Sequence, residues 1–136
     1  MRVLITGDRH WHCSRLAADV VARLVAKYGP NIVIVHGDAE GVDRSFDAVA
    51  IAAGVAIESH SARWKDLGPR AGPVRNAAMV DAGADLCLAV HRTLEASKGT
   101  KGCAALAIAA GIPTYLIDAD DGVPRRLRAD DPRLAR

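Results

Sequence analysis

The sequence predicts an α/β fold: a single three-layer domain built on a five-stranded, mainly parallel sheet. Three observations predict it. Five short runs rich in β-branched residues recur along the chain: RVLIT (2–6), IVIVH (32–36), VAIES (55–59), DLCLAV (85–90) and PTYLI (113–117). Helical patterns lie between them, and each pattern stops at a glycine that leads within a few residues into the next run. Several of the runs are almost continuously apolar, as expected of strands covered on both faces. Repeated strand–helix alternation closes into a parallel sheet with right-handed crossovers and helices on both sides.

The elements follow in order. RVLIT is the first strand. In SRLAADVVARLVAKYG (14–29), Leu16, Val20, Leu24 and Tyr28 form one stripe, with Val21 and Val25 beside it. Ser14 is placed to cap this helix and Gly29 to end it. DRSFDAVAIAAG (43–54) presents Phe46, Val49, Ala50 and Ala53 to the core, with Asp43 as its cap and Gly54 as its stop. HSARWKDLGPRAG (60–72) is the longest irregular stretch, a length that marks a functional or mobile loop in a compact domain. PVRNAAMVDAG (73–83) opens on a proline suited to a first helical turn and stops at Gly83. TKGCAALAIAAG (100–111) is an Ala-rich last helix. The domain is therefore expected over residues 1–117, followed by a charged tail over 118–136. In that tail RRLR (125–128) is offset by DADD (118–121) and DD (130–131), which reads as a solvated terminus.

Bulk properties narrow the function. A chain of 136 residues, half of them apolar, is one folded domain with a real core. A formal charge of +2 with interspersed signs is too mild to mark a nucleic-acid binder. Cys13, Cys87 and Cys103 are odd in number and widely spaced, so no disulfide framework follows. There is no apolar run long enough to span a membrane, and MRVLITG lacks the features of a signal peptide. A cytoplasmic protein is expected.

In open parallel sheets, ligands bind outside the carboxyl ends of the strands. That rim is where the polar residues collect. Gly7 would let a ligand approach the backbone and Arg9 would meet a phosphate bidentately, although the segment also fits a plain strand-to-helix turn. His10, His12 and Cys13 lie too close in the chain to complete a tetrahedral zinc site unaided. No metal or cofactor is expected. Gly37 and Gly41 flank Asp38 and Glu40, which suit a ribose hydroxyl or a base, and Asp43 follows. Arg63, Trp64, Lys65 and Arg70 lie on the long loop. Arg75 and Asn76 fall in a first helical turn, where the dipole disfavours a free cation. Arg75 therefore meets an anion or, failing that, pairs with Asp81 or Asp66. Ser97, Gly99 and Thr100 offer hydroxyls and open N–H groups at a helix start, which fits an anion cradle or a simple cap. Neither GxGxxG nor GxxxxGK[ST] occurs.

Taken in order, ITGDRHW, HGDAEGVD, W-x7-GPVRNAAM and SKGT resemble the YspA-related (YAcAr-type) branch of the SLOG superfamily. Gly7, Arg9 and Trp11 fit its GxRxW-like start. His36, Gly37, Gly41 and Asp43 fit its HGGARGAD-like loop. Gly72, Arg75, Asn76 and Met79 fit its AGxxRNxxM helix, and Ser97, Gly99 and Thr100 its SxGT loop. The resemblance spans residues 1–117. It implies a Rossmann-like sheet and a nucleotide or nucleotide-derived ligand held by these motifs, with Trp11 or Trp64 stacked on a base. The chain is more distantly similar to the LOG phosphoribohydrolases, which cleave the N-glycosidic bond of nucleoside monophosphates, and to the DNA-processing protein DprA. In the TxxE pattern of the LOG enzymes, counting from Thr100 reaches Cys103 instead of an acid. A carboxylate for that chemistry would have to come from Asp38, Glu40 or Asp43, acting with Arg75. The first expectation is a binding module that senses or sequesters a nucleotide-like small molecule. The alternative is a nucleoside 5′-monophosphate N-glycosidase. Single-stranded DNA binding in the manner of DprA comes third, because charge and aromatic content are low. Pairing through helices into a homodimer is a further expectation.

Overall fold

All five apolar runs form strands in the computed structural model, which describes residues 1–135: β1 (Arg2–Gly7), β2 (Val33–His36), β3 (Ala56–Ser59), β4 (Leu86–Val90) and β5 (Thr114–Ile117). They pair in parallel in the order β3-β2-β1-β4-β5, and β6 (Arg125–Arg126) adds an antiparallel edge beside β5. The chain starts in the middle of the sheet, so strand order reverses between β1 and β4. This is the switch point at which such sheets open a crevice.

The continuous apolarity of the runs has the expected cause. Val3, Leu4 and Ile5 are fully buried, and all of β4 is buried. Side chains alternate between faces along a strand. Val3 and Ile5 therefore meet one pair of helices, α1 (Ser14–Tyr28) and α2 (Val42–Ala52), through Leu16, Val20, Val21 and Phe46. Leu4 faces the opposite side, where Met79, Cys87, Cys103 and Ala107 lie. Met79 belongs to α4 (Ala71–Asp81), and Cys103 and Ala107 to α5 (Gly99–Ala109). Each Leu- or Phe-sized side chain removed from water in these layers contributes about 2 kcal/mol. The result is a Rossmann-like three-layer sandwich.

Several local expectations change. Tyr28 ends the α1 stripe but is exposed, because the helix runs past the edge of the core. α1 starts on Ser14 itself, with Cys13 in the cap position. Asp43 does not cap α2. The helix begins one residue earlier, after Gly41, and the Asp43 side chain folds back onto the preceding loop. Gly29 and Gly83 turn out of their helices at φ 90° and 88°, a backbone that favours glycine. The long loop is partly helical: α3 (Trp64–Leu67) and a 3-10 turn (Gly68–Arg70) feed directly into α4, which starts before Pro73. In the tail Arg125 and Arg126 are exposed, yet Leu127 is buried against Ala89, Leu94, Ala104 and Leu116. Among the described residues, no helix is long and apolar enough to cross a membrane.

Candidate functional site

One glycine organises the rim. Gly37 follows the last residue of β2. Its N–H donates to Asp43 Oδ2 at 3.1 Å, and its carbonyl accepts from Arg75 Nη1 at 2.6 Å. Arg75 Nε donates to Asn76 Oδ1 at 2.8 Å, and Asn76 Nδ2 reaches the carbonyl of Gly99 at 3.3 Å. A single run of hydrogen bonds thus links the start of α2, the end of β2, the first half of α4 and the first residue of α5. A Cβ on Gly37 would lie 2.6 Å from Arg75 Nη1, so the guanidinium occupies the space a side chain would take. Beneath this point His36 is fully buried. Its Nδ1 accepts from the Asp38 N–H at 3.0 Å, which leaves the proton on Nε2 to donate to Asp47 at 2.7 Å.

Asp43 is the unusual group. It is 5% exposed, and Ala39 also donates to its Oδ2, at 3.2 Å. Its Oδ1 is the one buried side-chain polar atom without a partner among the described residues. Burial pushes the carboxyl above the ordinary aspartate value. The Ala39 N–H, His36, Arg75 and the Gly37 N–H oppose that shift only in part.

At the start of α5, Ser97 Oγ accepts from the N–H groups of Thr100 at 3.0 Å and Lys101 at 3.3 Å, so the serine caps the helix. Thr100 is buried, and Gly99 faces open space where a Cβ would meet nothing. Lys101 turns away, donating to the carbonyls of Glu95 and Ala135. Cys103, one turn on, is fully buried, and burial pushes its thiol up to about 11. It is a neutral packing group.

The model of the YspA, cpYpsA-related SLOG family matches residues 1–66. The Gene 61 protein of Mycobacterium phage D29 is 41% identical over 117 residues, covering 82% of this chain and 92% of that protein. The chain belongs to the YspA, cpYpsA-related SLOG family. No solved structure gives a significant match.

In this SLOG domain the expected site residues divide. Gly37, Asp43, Arg75, Asn76 and Gly99 come together, with Ser97 and Thr100 in the adjoining turn. Gly7 and Gly41 make close approaches between parts of the chain. A Cβ on Gly7 would lie 2.6 Å from the Val90 carbonyl oxygen and against Val42, and one on Gly41 would strike the Asp8 carbonyl. Arg9 is exposed, with Nε 3.3 Å from His10 Nε2. Trp11 belongs to the core under α1 and α2, across the sheet from α4, and carries the Arg92 guanidinium 4.5 Å from its ring centroid. Asp38, at φ 55°, accepts from Ser61 Oγ at 3.0 Å on the surface. Glu40 lines a separate cleft of about 390 Å³ with His12, Ser14 and Arg44. Arg75 pairs with neither Asp81 nor Asp66, and Asp66 holds Arg63 at 2.7 Å. Trp64 is 57% exposed, and a Cβ on Gly72 would lie 3.3 Å from its ring and 3.9 Å from Arg75 Nη2, so ring and guanidinium are neighbours. Sequence reasoning missed a pair at the switch point itself: His91 Nε2 stands 3.9 Å from Asp8 Oδ2. The available signal was position alone, since both residues directly follow central strands.

Proposed function

We propose that this SLOG domain binds a nucleotide or nucleotide-derived phosphate ligand at the carboxyl rim of its sheet, as a sensor or sequestering module. The run of bonds from Asp43 through Gly37, Arg75 and Asn76 to Gly99 carries the reading. It sets a partly exposed guanidinium, fixed by a carbonyl and an amide, beside the Ser97-capped start of α5, where Gly99 borders open space. A phosphate there meets the Arg75 guanidinium and the positive end of the α5 dipole together. The exposed ring of Trp64 beside Arg75 offers a base a stacking face. Family membership supports a nucleotide-related small molecule as the ligand.

Calorimetric titration with a panel of nucleoside mono- and diphosphates tests this. Arg75→Ala should weaken binding by about 10- to 100-fold, the equivalent of one or two charge-assisted hydrogen bonds. Unchanged affinity in that variant would place the pocket elsewhere.

A second reading, N-glycosidic cleavage of a nucleoside monophosphate, draws on one observation. Of the three candidate carboxylates, Asp43 alone joins Arg75 at Gly37, while Asp38 and Glu40 are exposed. In that reaction water adds to the anomeric carbon, the carbon–nitrogen bond breaks and the base leaves with a proton. Incubation with the same panel, followed for free base, decides it: binding with no base released ends the enzyme reading.

A further inference from the structure

The hydrogen bonds of the rim leave one buried acceptor unpaired. Asp43 gives its Oδ2 to Gly37 and Ala39, and its Oδ1 is buried with no partner among the described residues. Buried polar atoms almost always have one, and a bare carboxylate oxygen is costly. Helix capping does not account for the residue, since α2 starts at Val42, after Gly41, without a side-chain cap. Nor does an ion pair, because Arg75 commits its Nη1 to the Gly37 carbonyl and its Nε to Asn76. The carboxylate holds the N–H of Gly37 and the guanidinium holds its C=O. An acceptor and a cation therefore flank a single residue that has no side chain to separate them.

We propose that Asp43 Oδ1 accepts a hydrogen bond from a hydroxyl of the same ligand whose phosphate Arg75 holds, so that the site selects a ribosyl phosphate over its deoxy forms. This rests on the phosphate-binding reading above and adds a requirement to it. The ligand must present both an anion and a donor. The vicinal hydroxyls of ribose 5-phosphate supply that donor without any base, whereas a dideoxynucleotide keeps the base and the phosphate but lacks it.

The experiment titrates the wild-type protein and Asp43→Asn with four ligands: a ribonucleoside 5′-monophosphate, its 2′,3′-dideoxy form, ribose 5-phosphate and inorganic phosphate. The amide preserves the acceptor for Gly37 and Ala39 but replaces the charged oxygen. In the wild type, the ribonucleotide should bind at least about tenfold more tightly than the dideoxy form, and ribose 5-phosphate more tightly than inorganic phosphate. In Asp43→Asn both preferences should shrink several-fold. Equal binding of the ribo and dideoxy forms would overturn the hydroxyl contact while leaving the phosphate site standing. A preference that persists undiminished in Asp43→Asn would move the contact to another residue and overturn the assignment. Failure of every ligand to bind the wild type would remove both readings. If the variant does not fold, the carboxyl carbon resonance of Asp43 in the wild type serves instead. It should move with ribose 5-phosphate and stay in place with inorganic phosphate, and no movement with either would overturn the proposal.

Discussion

Gly7 and Gly37 both lie where a strand gives way to a loop, yet their missing side chains make room for different things. At Gly7 the space is filled by the Val90 carbonyl and the Val42 side chain, which cannot move without parting β1 from β4 and α2. Gly7→Ala should cost about 3 kcal/mol, at the upper end for overpacking, and urea denaturation measures it. At Gly37 the space is filled by the end of a flexible arginine. Gly37→Ala should cost only about 1 kcal/mol while displacing Arg75, so that phosphate binding falls as far as in Arg75→Ala. Equal stability losses in the two variants would contradict this distinction. At this scale the sequence was partly legible. Arg75 stood out because a first helical turn, where the sequence put it, leaves a cation wanting an anion or an acid, although α4 in fact begins at Ala71 and places Arg75 beyond that turn. Its actual partners, Gly37 and Asn76, were hidden because a carbonyl contact leaves no mark in the sequence. Asp43 was read as either a cap or a ligand residue, and its role as a loop anchor was hidden because a cap and a loop anchor both call for an acid at a helix start. Trp11 was expected at a ligand, but Arg92 covers its ring from a distant part of the chain.

The elements were the most legible level. Strands followed from near-continuous β-branched runs, and helices from apolar spacing that ended at glycine. β6 escaped notice because its two residues are exposed arginines, and an edge strand needs no apolar pattern to pair. The start of α5 matters most for the site. Ser97 holds the N–H groups of Thr100 and Lys101, and Asn76 holds the Gly99 carbonyl, so this helix is fixed from two sides. Ser97→Ala should lower stability by about 1 kcal/mol, as cap removal typically does. Thermal denaturation checks it, and no loss would show that Asn76 alone secures the turn.

For the molecule as a whole, the parallel sheet and its two helical layers could be anticipated from alternation and crossover handedness. The part the tail plays could not, because a single leucine among arginines resembles any solvated terminus. Leu127 nevertheless closes a cluster with Ala89, Leu94, Ala104 and Leu116, and its N–H donates to the Thr114 carbonyl at 2.9 Å. Leu127→Ala should cost about 3 kcal/mol by chemical denaturation, in the range for emptied core positions. A loss within about 0.5 kcal/mol, as at the surface, would mean that the tail adds nothing to the core. The unequal placement of the two tryptophans has a further use. Trp11, enclosed beneath a guanidinium, and Trp64, open to solvent beside Arg75, form two optical populations within one chain. A water-borne quencher should reach only the second, and so should a base held as in the proposed function. The intrinsic fluorescence therefore carries a reporter at the rim and an internal reference in the core.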